Sequence, residues 1–253
     1  LDGSGYIYAA GDFTSIGGQA KSYLSKINTV TGLDDTGFNP APSGIVYSIS
    51  LDSSGGLYAG GGFSTIGGQS RQNIARLFTS DGSADISFNA GAVSGAVMCI
   101  KLDDTGKLYM GGTFSNVGGL QRAYAARVNA ATGSVDTGFI PNLSGSPNII
   151  YSDEKGKVFI GGSFTGANAI YRQYIAKIKK SDMSVDTAFT YSAGGIVRCL
   201  ALDGEGYVYA GGDFTSIGGQ TRNRIAKLSI ISGQADVTFN PNAGGSVNAI
   251  EYK

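Results

Sequence analysis

The sequence predicts an all-β fold: a five-bladed β-propeller of four-stranded antiparallel blades, its ring closed by pairing the C-terminal strand with the N-terminal hairpin. Three observations lead there. A phenylalanine recurs at 13, 63, 114, 164 and 214, in steps of 50 or 51 residues, so one unit is present in five copies. Within a unit, short runs such as "GIVYSISLD", "GGLYAGG" and "NIARLFT" follow a period of two and are bounded by glycine, aspartate and serine. The chain opens on "LDGSGYIYAAGDF", the second strand of a unit, and finishes on "GSVNAIEYK", the first strand of one.

Each element of the unit has its own reason. V-x-x-I-x-L-D is the innermost strand, and "LDSSGG" or "LDGEG" turns it tightly into the second, G-x-L-Y-A-G-G. The stretch "GDFTSIGGQ", identical at 11–19 and 212–220, joins the second strand to the third, its paired glycines supplying positive φ. R-x-x-I-A-(R/K)-L is the third strand. Phe38, Phe88, Phe139, Phe189 and Phe239, each three residues after an aspartate, end the unit in D-x-x-F, expected as a short fourth edge strand. No segment shows a helical period. Four antiparallel strands in about fifty residues match one propeller blade.

An open solenoid would need atypical polar caps at both ends. Here "VNAIEY" can instead pair with "GYIYAAG", leaving no exposed strand edge, so residues 1–253 are expected to form a single domain.

Composition narrows the function. There are 41 glycines but 5 prolines, and 42% of residues are hydrophobic, so the glycines turn an ordered chain rather than a flexible linker. With 19 basic and 19 acidic residues the chain lacks the surplus that grips nucleic acid, and no apolar run reaches membrane-spanning length. Histidine is absent, which removes Ser-His and Cys-His nucleophiles and the commonest transition-metal ligand. Cys99 and Cys199 occupy one repeat position in non-adjacent blades, too far apart for a disulfide. Opening on Leu1 in mid-pattern, the chain reads as a processed protein or part of a larger polypeptide.

The segment "YVYAGGDFTSIGGQTRNRIAKL" followed by "ADVTFNP" resembles the bacterial delta-60 repeat, the DUF5122 β-propeller family, and the likeness extends over essentially the whole chain. It rests on G-G-x-F, R-x-x-I-A-(R/K)-L and D-x-x-F together. The resemblance implies a large secreted or surface protein of bacteria and no established catalytic residues. Repeat four departs from the pattern with "GSFTGANAIYRQY", so its loop is expected to differ in shape.

The same repeats carry the candidate chemistry. The glycine-rich turns lie between strands and lack G-K-(S/T), so they are not phosphate loops. Basic residues recur at Lys21, Arg71, Arg122, Arg172 and Arg222, and again at Lys26, Arg76, Arg127, Lys177 and Lys227. Aspartates recur at Asp35, Asp85, Asp136, Asp186 and Asp236, and at Asp2, Asp52, Asp103, Asp153 and Asp203. Charges at fixed offsets suit turn bonds and ion pairs in every blade, and third-strand cations are expected to meet the D-x-x-F aspartates. Five equivalent ligand sites, including calcium sites, are the alternative, but no D-x-D-x-D-G loop is present. Among inner-strand residues Ser50, Lys101, Tyr151, Ala201 and Glu251 there is a lone carboxylate, not the pair that glycoside hydrolysis uses. Asn142-Leu143-Ser144 forms a glycosylation sequon.

What remains is the variable rim. Tyr124 and Tyr174 share a third-strand position with Tyr23, Asn73 and Arg224, and Asn168 and Tyr171 lie in the repeat-four loop. Aromatic faces beside amides suit sugars and protein surfaces, so Tyr124, Asn168, Tyr171 and Tyr174 are the candidate ligand-binding residues. The expectation is therefore a non-catalytic extracellular module for binding, adhesion or spacing, without cofactor or metal, whose partner is a glycan or a surface protein. A phage or virion tail component and a carbohydrate-active enzyme are the other two classes.

Overall fold

The computed structural model describes residues 3–153 and 156–252; Asp2 lies outside them. Among the described residues there is no helix, and every strand pair is antiparallel. Two compact units are present, Leu1–Arg122 with Arg127–Asp136, and Ala123–Ala126 with Thr137–Lys253.

In the first unit, the second repeat shows the common plan. Inner strand Val46–Leu51 pairs with central strand Gly56–Gly61, which pairs on its far side with third strand Ile74–Phe78. Ile49 opposes Ala59 and Tyr58 opposes Arg76. The inner ladder slips between Val46 and Ser48, a bulge that recurs between Val97 and Cys99. Tyr6–Ala10 and Leu24–Asn28 form the two-stranded sheet of the first repeat. Leu24 and Phe38 of this repeat, with Val46, Leu57 and Ile66 of the second, none detectably exposed, make a shared core.

The second unit repeats the plan with Pro147–Ser152, Lys157–Gly162 and Ile175–Lys179, then Val197–Leu202, Tyr207–Gly212 and Ile225–Ser229. Phe159, Phe189, Val197, Val208 and Phe214 centre its core. Aromatic edges fill the layer: Phe159 meets Phe189 and Tyr209 meets Phe239 edge-on, at centroid distances of 5.9 and 5.4 Å.

The predicted fourth strand is reduced to a single bridge, as between Leu77 and Ala84 or Leu228 and Ala235. In repeats two to five the sheets are thus three-stranded with one outer bridge. The aspartate explains the shortening. Asp85 N–H donates to Arg76 O at 2.8 Å, but its Oδ1 then accepts from Ser87 N–H at 2.9 Å. That turn pulls the chain off the ladder and sends Phe88 into the core, fully buried.

Candidate functional site

Between central and third strands, each of repeats two to five carries a hairpin of two-residue strands, such as Thr65–Ile66 and Gln69–Ser70. Gly67 and Gly68 at its tip have φ of 60° and 75°, which glycine adopts freely. A Cβ on Gly67 would lie 2.3 Å from Ala84 N, so glycine is also required by close approach to the outer bridge. In the duplicated "GDFTSIGGQ", a Cβ on Gly17 or Gly218 would likewise lie 2.4 Å from Asp34 N or Ala235 N, so that stretch is a packed structural join.

Repeat four was expected to form a differently shaped loop; it does not. Gly166–Ala167 and Ile170–Tyr171 pair as in the other repeats, with Asn168 and Ala169 taking φ of 46° and 60°. Asparagine tolerates this region, and its side chain is anchored: Nδ2 donates to Met183 O at 2.8 Å and Oδ1 accepts from Asn142 Nδ2 at 3.2 Å.

The candidate residues therefore have distinct surroundings. Tyr171 is 66% exposed on the hairpin's second strand, whereas Asn168, Tyr124 and Tyr174 are half-buried. Tyr174 packs against the second unit's core. The position shared by Tyr23, Asn73, Tyr124, Tyr174 and Arg224 is left-handed in all five repeats, with φ from 64° to 68°. Its backbone is gripped on both sides: Asn73 N–H donates to Phe63 O, and Asn73 O accepts from Gly61 N–H, both at 2.9 Å. Asn73 Nδ2 and Arg224 Nη1 then reach the carbonyls of Val93 and Ala243 in the following linker, each at 2.9 Å. Tyr191 is a further exposed aromatic in the second unit; a Cβ on Gly219 would lie 2.7 Å from its Cε1.

The expected pairing of third-strand cations with D-x-x-F aspartates is present in four repeats. Lys26 meets Asp35 at 3.1 Å, and Arg127 meets Asp136 and Lys177 meets Asp186 at 3.0 Å. Arg76 bridges Asp85 at 2.5 Å and Asp52 at 2.8 Å. In the fifth repeat, Lys227 Nζ lies 4.0 Å from the Tyr207 ring centroid. The other basic series, of which the same pairing was expected, binds backbone: Arg122 Nη1 donates to Gln121 O at 2.7 Å and Arg222 Nη2 to Asp236 O at 2.8 Å, while Lys21 of that series also meets a carboxylate.

Burial would push the Asp52, Asp85, Asp186 and Asp203 carboxyls up, but turn N–H groups and neighbouring cations outweigh it and hold all four below their usual value. Their folded values are depressed, so their stabilisation is complete above the unfolded value of about 3.9 and lost as pH falls through the lower folded one. The melting temperature is therefore expected to stay level from about pH 7 to 5 and to drop below about pH 4. Thermal melts followed by circular dichroism check this; a curve flat to about pH 2 would contradict it.

Cys99 and Cys199 are buried and form no disulfide, and burial pushes the Cys199 thiol up to about 11. Among the described residues, no group of three or more Asp, Glu or Cys could hold a metal ion, and no helix is long and apolar enough to cross a membrane.

Sequence reasoning missed a buried polar trio in the first repeat. Lys21 Nζ donates to Asp34 Oδ2 at 2.8 Å, and Ser25 Oγ donates to Asp34 Oδ1 at 2.5 Å. The signal was readable by alignment: Asp34 stands where the other repeats have Ala84, Val135, Val185 and Ala235, and Ser25 where all four have alanine.

Three-stranded antiparallel sheets with an outer bridge, recurring about every fifty residues, define this as a protein of β-propeller repeats. The model of the DUF5122 β-propeller, a domain of unknown function, matches residues 53–88, 104–139 and 206–239, and these repeats of the chain belong to that family. Each match ends on the D-x-x-F phenylalanine. The chain is similar in structure to U3-55K, with a TM-score of 0.61 and 15% identity over 92% of this chain and 60% of that one. It is also similar to the extracellular domain of the putative one component system BT4673 from B. thetaiotaomicron, with a TM-score of 0.54 and 16% identity over 87% of this chain. The chain spans 26% of that second protein. At such identities the likeness is one of fold. No curated protein matches in sequence.

Proposed function

We propose that this chain is a non-catalytic β-propeller module of an extracellular or cell-surface bacterial protein, and that the repeat-four rim contacts a glycan or a protein surface. The observation that carries this reading is Tyr171, exposed on a hairpin whose framework is otherwise committed to packing. Its counterparts are Ser70, Gln121 and Thr221, so the aromatic belongs to one repeat rather than to the scaffold. Asn168, Tyr124 and Tyr174 support the rim from half-buried positions. The non-catalytic reading is supported by the repeated aspartates, whose oxygens are occupied by turn N–H groups and cations. An extracellular setting is supported by likeness to an extracellular domain.

In the same reading, residues 1–253 form one five-bladed ring. Its support is the packing of the C-terminal segment. A Cβ on Gly211 would lie 2.6 Å from Val247 Cγ1 and 3.0 Å from Ile250 Cδ1. Gly60 has the same neighbours, Val97 Cγ1 at 2.7 Å and Ile100 Cγ2 at 3.0 Å. Residues 247–250 thus pack as an inner strand does, although they carry no strand themselves.

Glycan arrays and pull-downs with wild type and Tyr171→Ala test the rim. A ligand held by wild type is expected to weaken about tenfold on losing the stacking face. Undiminished binding by folded Tyr171→Ala would remove this rim from consideration.

A further inference from the structure

We propose that Lys21 and Asp34 become joined by an isopeptide bond, a covalent cross-link inside the first repeat. The reacting groups already touch, with Nζ 2.8 Å from Oδ2. Both are withdrawn from water: the side chains are 11% and 1% exposed, and Ser25 is fully buried. Ser25 donates its hydroxyl proton to Oδ1, the oxygen that would remain as the amide carbonyl, and so polarises Cγ toward attack. Asp35 O, at 3.3 Å, and Phe38 O both accept from Nζ and hold the nitrogen against the carboxylate.

The chemistry is a condensation and balances without a co-reactant. A proton passes from the ammonium to Oδ2, leaving a neutral amine beside a carboxylic acid. The amine lone pair then bonds to Cγ, the Cγ–Oδ2 bond breaks, and Oδ2 leaves as water with a second proton from nitrogen. One N–H remains on the amide, and nothing is oxidised or reduced. Holding both groups in place replaces a bimolecular encounter with an intramolecular one.

The other repeats cannot do this. They carry Arg71, Arg122, Arg172 and Arg222 in place of the amine and Ala84, Val135, Val185 and Ala235 in place of the carboxylate. One cross-link per chain is therefore expected, closing a loop between residues 13 apart in sequence. This inference stands apart from the binding reading, because the trio is buried and lies in a different repeat.

Intact mass spectrometry of the purified protein tests it. Wild type is expected to weigh less than its sequence by one water, and Lys21→Arg and Asp34→Ala to have full mass. Tandem spectra of a tryptic digest are expected to show the peptide carrying Lys21 joined to the one carrying Asp34. Full mass in wild type after prolonged incubation at neutral pH would overturn the proposal. So would a water loss mapped to Asp81-Gly82 or Asp203-Gly204, where a succinimide could form. Because wild type alone gives the decisive peptide map, a variant that fails to fold does not blunt the test.

Discussion

Gly112→Ala is expected to cost about 3 kcal/mol or more, an overpacking effect in which neither neighbour can yield. A Cβ at this position would lie 2.0 Å from the carbonyl oxygen of Ala96. That oxygen is fixed, because it accepts from Thr113 N–H at 3.0 Å across the inner-strand bulge. Gly61, Gly162 and Gly212 face the carbonyl oxygens of Ile45, Ser146 and Ile196 at 2.2, 2.4 and 2.0 Å, so every G-G-x-F motif carries the constraint. Gly106→Ala is the comparison: at φ +73° it meets nothing within 4 Å, and the left-handed backbone alone costs about 1 kcal/mol. Urea unfolding of both variants measures the difference, and equal losses would refute the steric account.

Removing residues 245–253 is expected to destabilise the protein by several kcal/mol, as deletion of packed apolar groups does. It strips Val247 and Ile250 from Gly211 and unstacks Tyr252 from Tyr209, whose ring centroids are 5.6 Å apart. It also removes the Ser246 Oγ donor to Asp213 at 2.6 Å, where Arg198 binds the same carboxylate. Melting unchanged by the truncation would mean the segment contributes nothing to stability. Hydrogen exchange separates local loss from ring closure. If the ring closes through this segment, amides of Tyr6–Ala10 exchange faster in the truncated protein; if only the fifth repeat loosens, closure by this route is wrong.

The repeat framework was legible because its causes are local. Period-two runs specify strands, D-x-x-G and paired glycines specify turns, and five phenylalanines at one spacing specify five copies. Pairing of the D-x-x-F aspartates with Lys26, Arg76, Arg127 and Lys177 was likewise readable from offsets, whereas the backbone bonds of Arg122, Arg172 and Arg222 were not. The candidate rim was less legible. Tyr124 and Tyr174 read in sequence as rim aromatics, and they sit half-buried at left-handed backbone positions. A positive φ at tyrosine has no sequence signature; neighbouring strands impose it, through the Phe164 carbonyl and the Gly162 amide at Tyr174.

The sequence by itself determined the number of units, the order of their strands, and which charges and aromatics recur. Tertiary structure decided what the outer edge and the exceptions became. D-x-x-F keeps a single bridge because the aspartate side chain competes for the backbone that a fourth strand would need. Asn168 and Ala169 keep a glycine turn because bonds to Met183 and Pro141 hold it. Lys21, Ser25 and Asp34 became one buried cluster because folding the third strand against the outer bridge brings residues 13 and 9 apart within bonding distance. In each case the deciding interaction comes from a segment that local sequence pattern does not couple to the residue it controls.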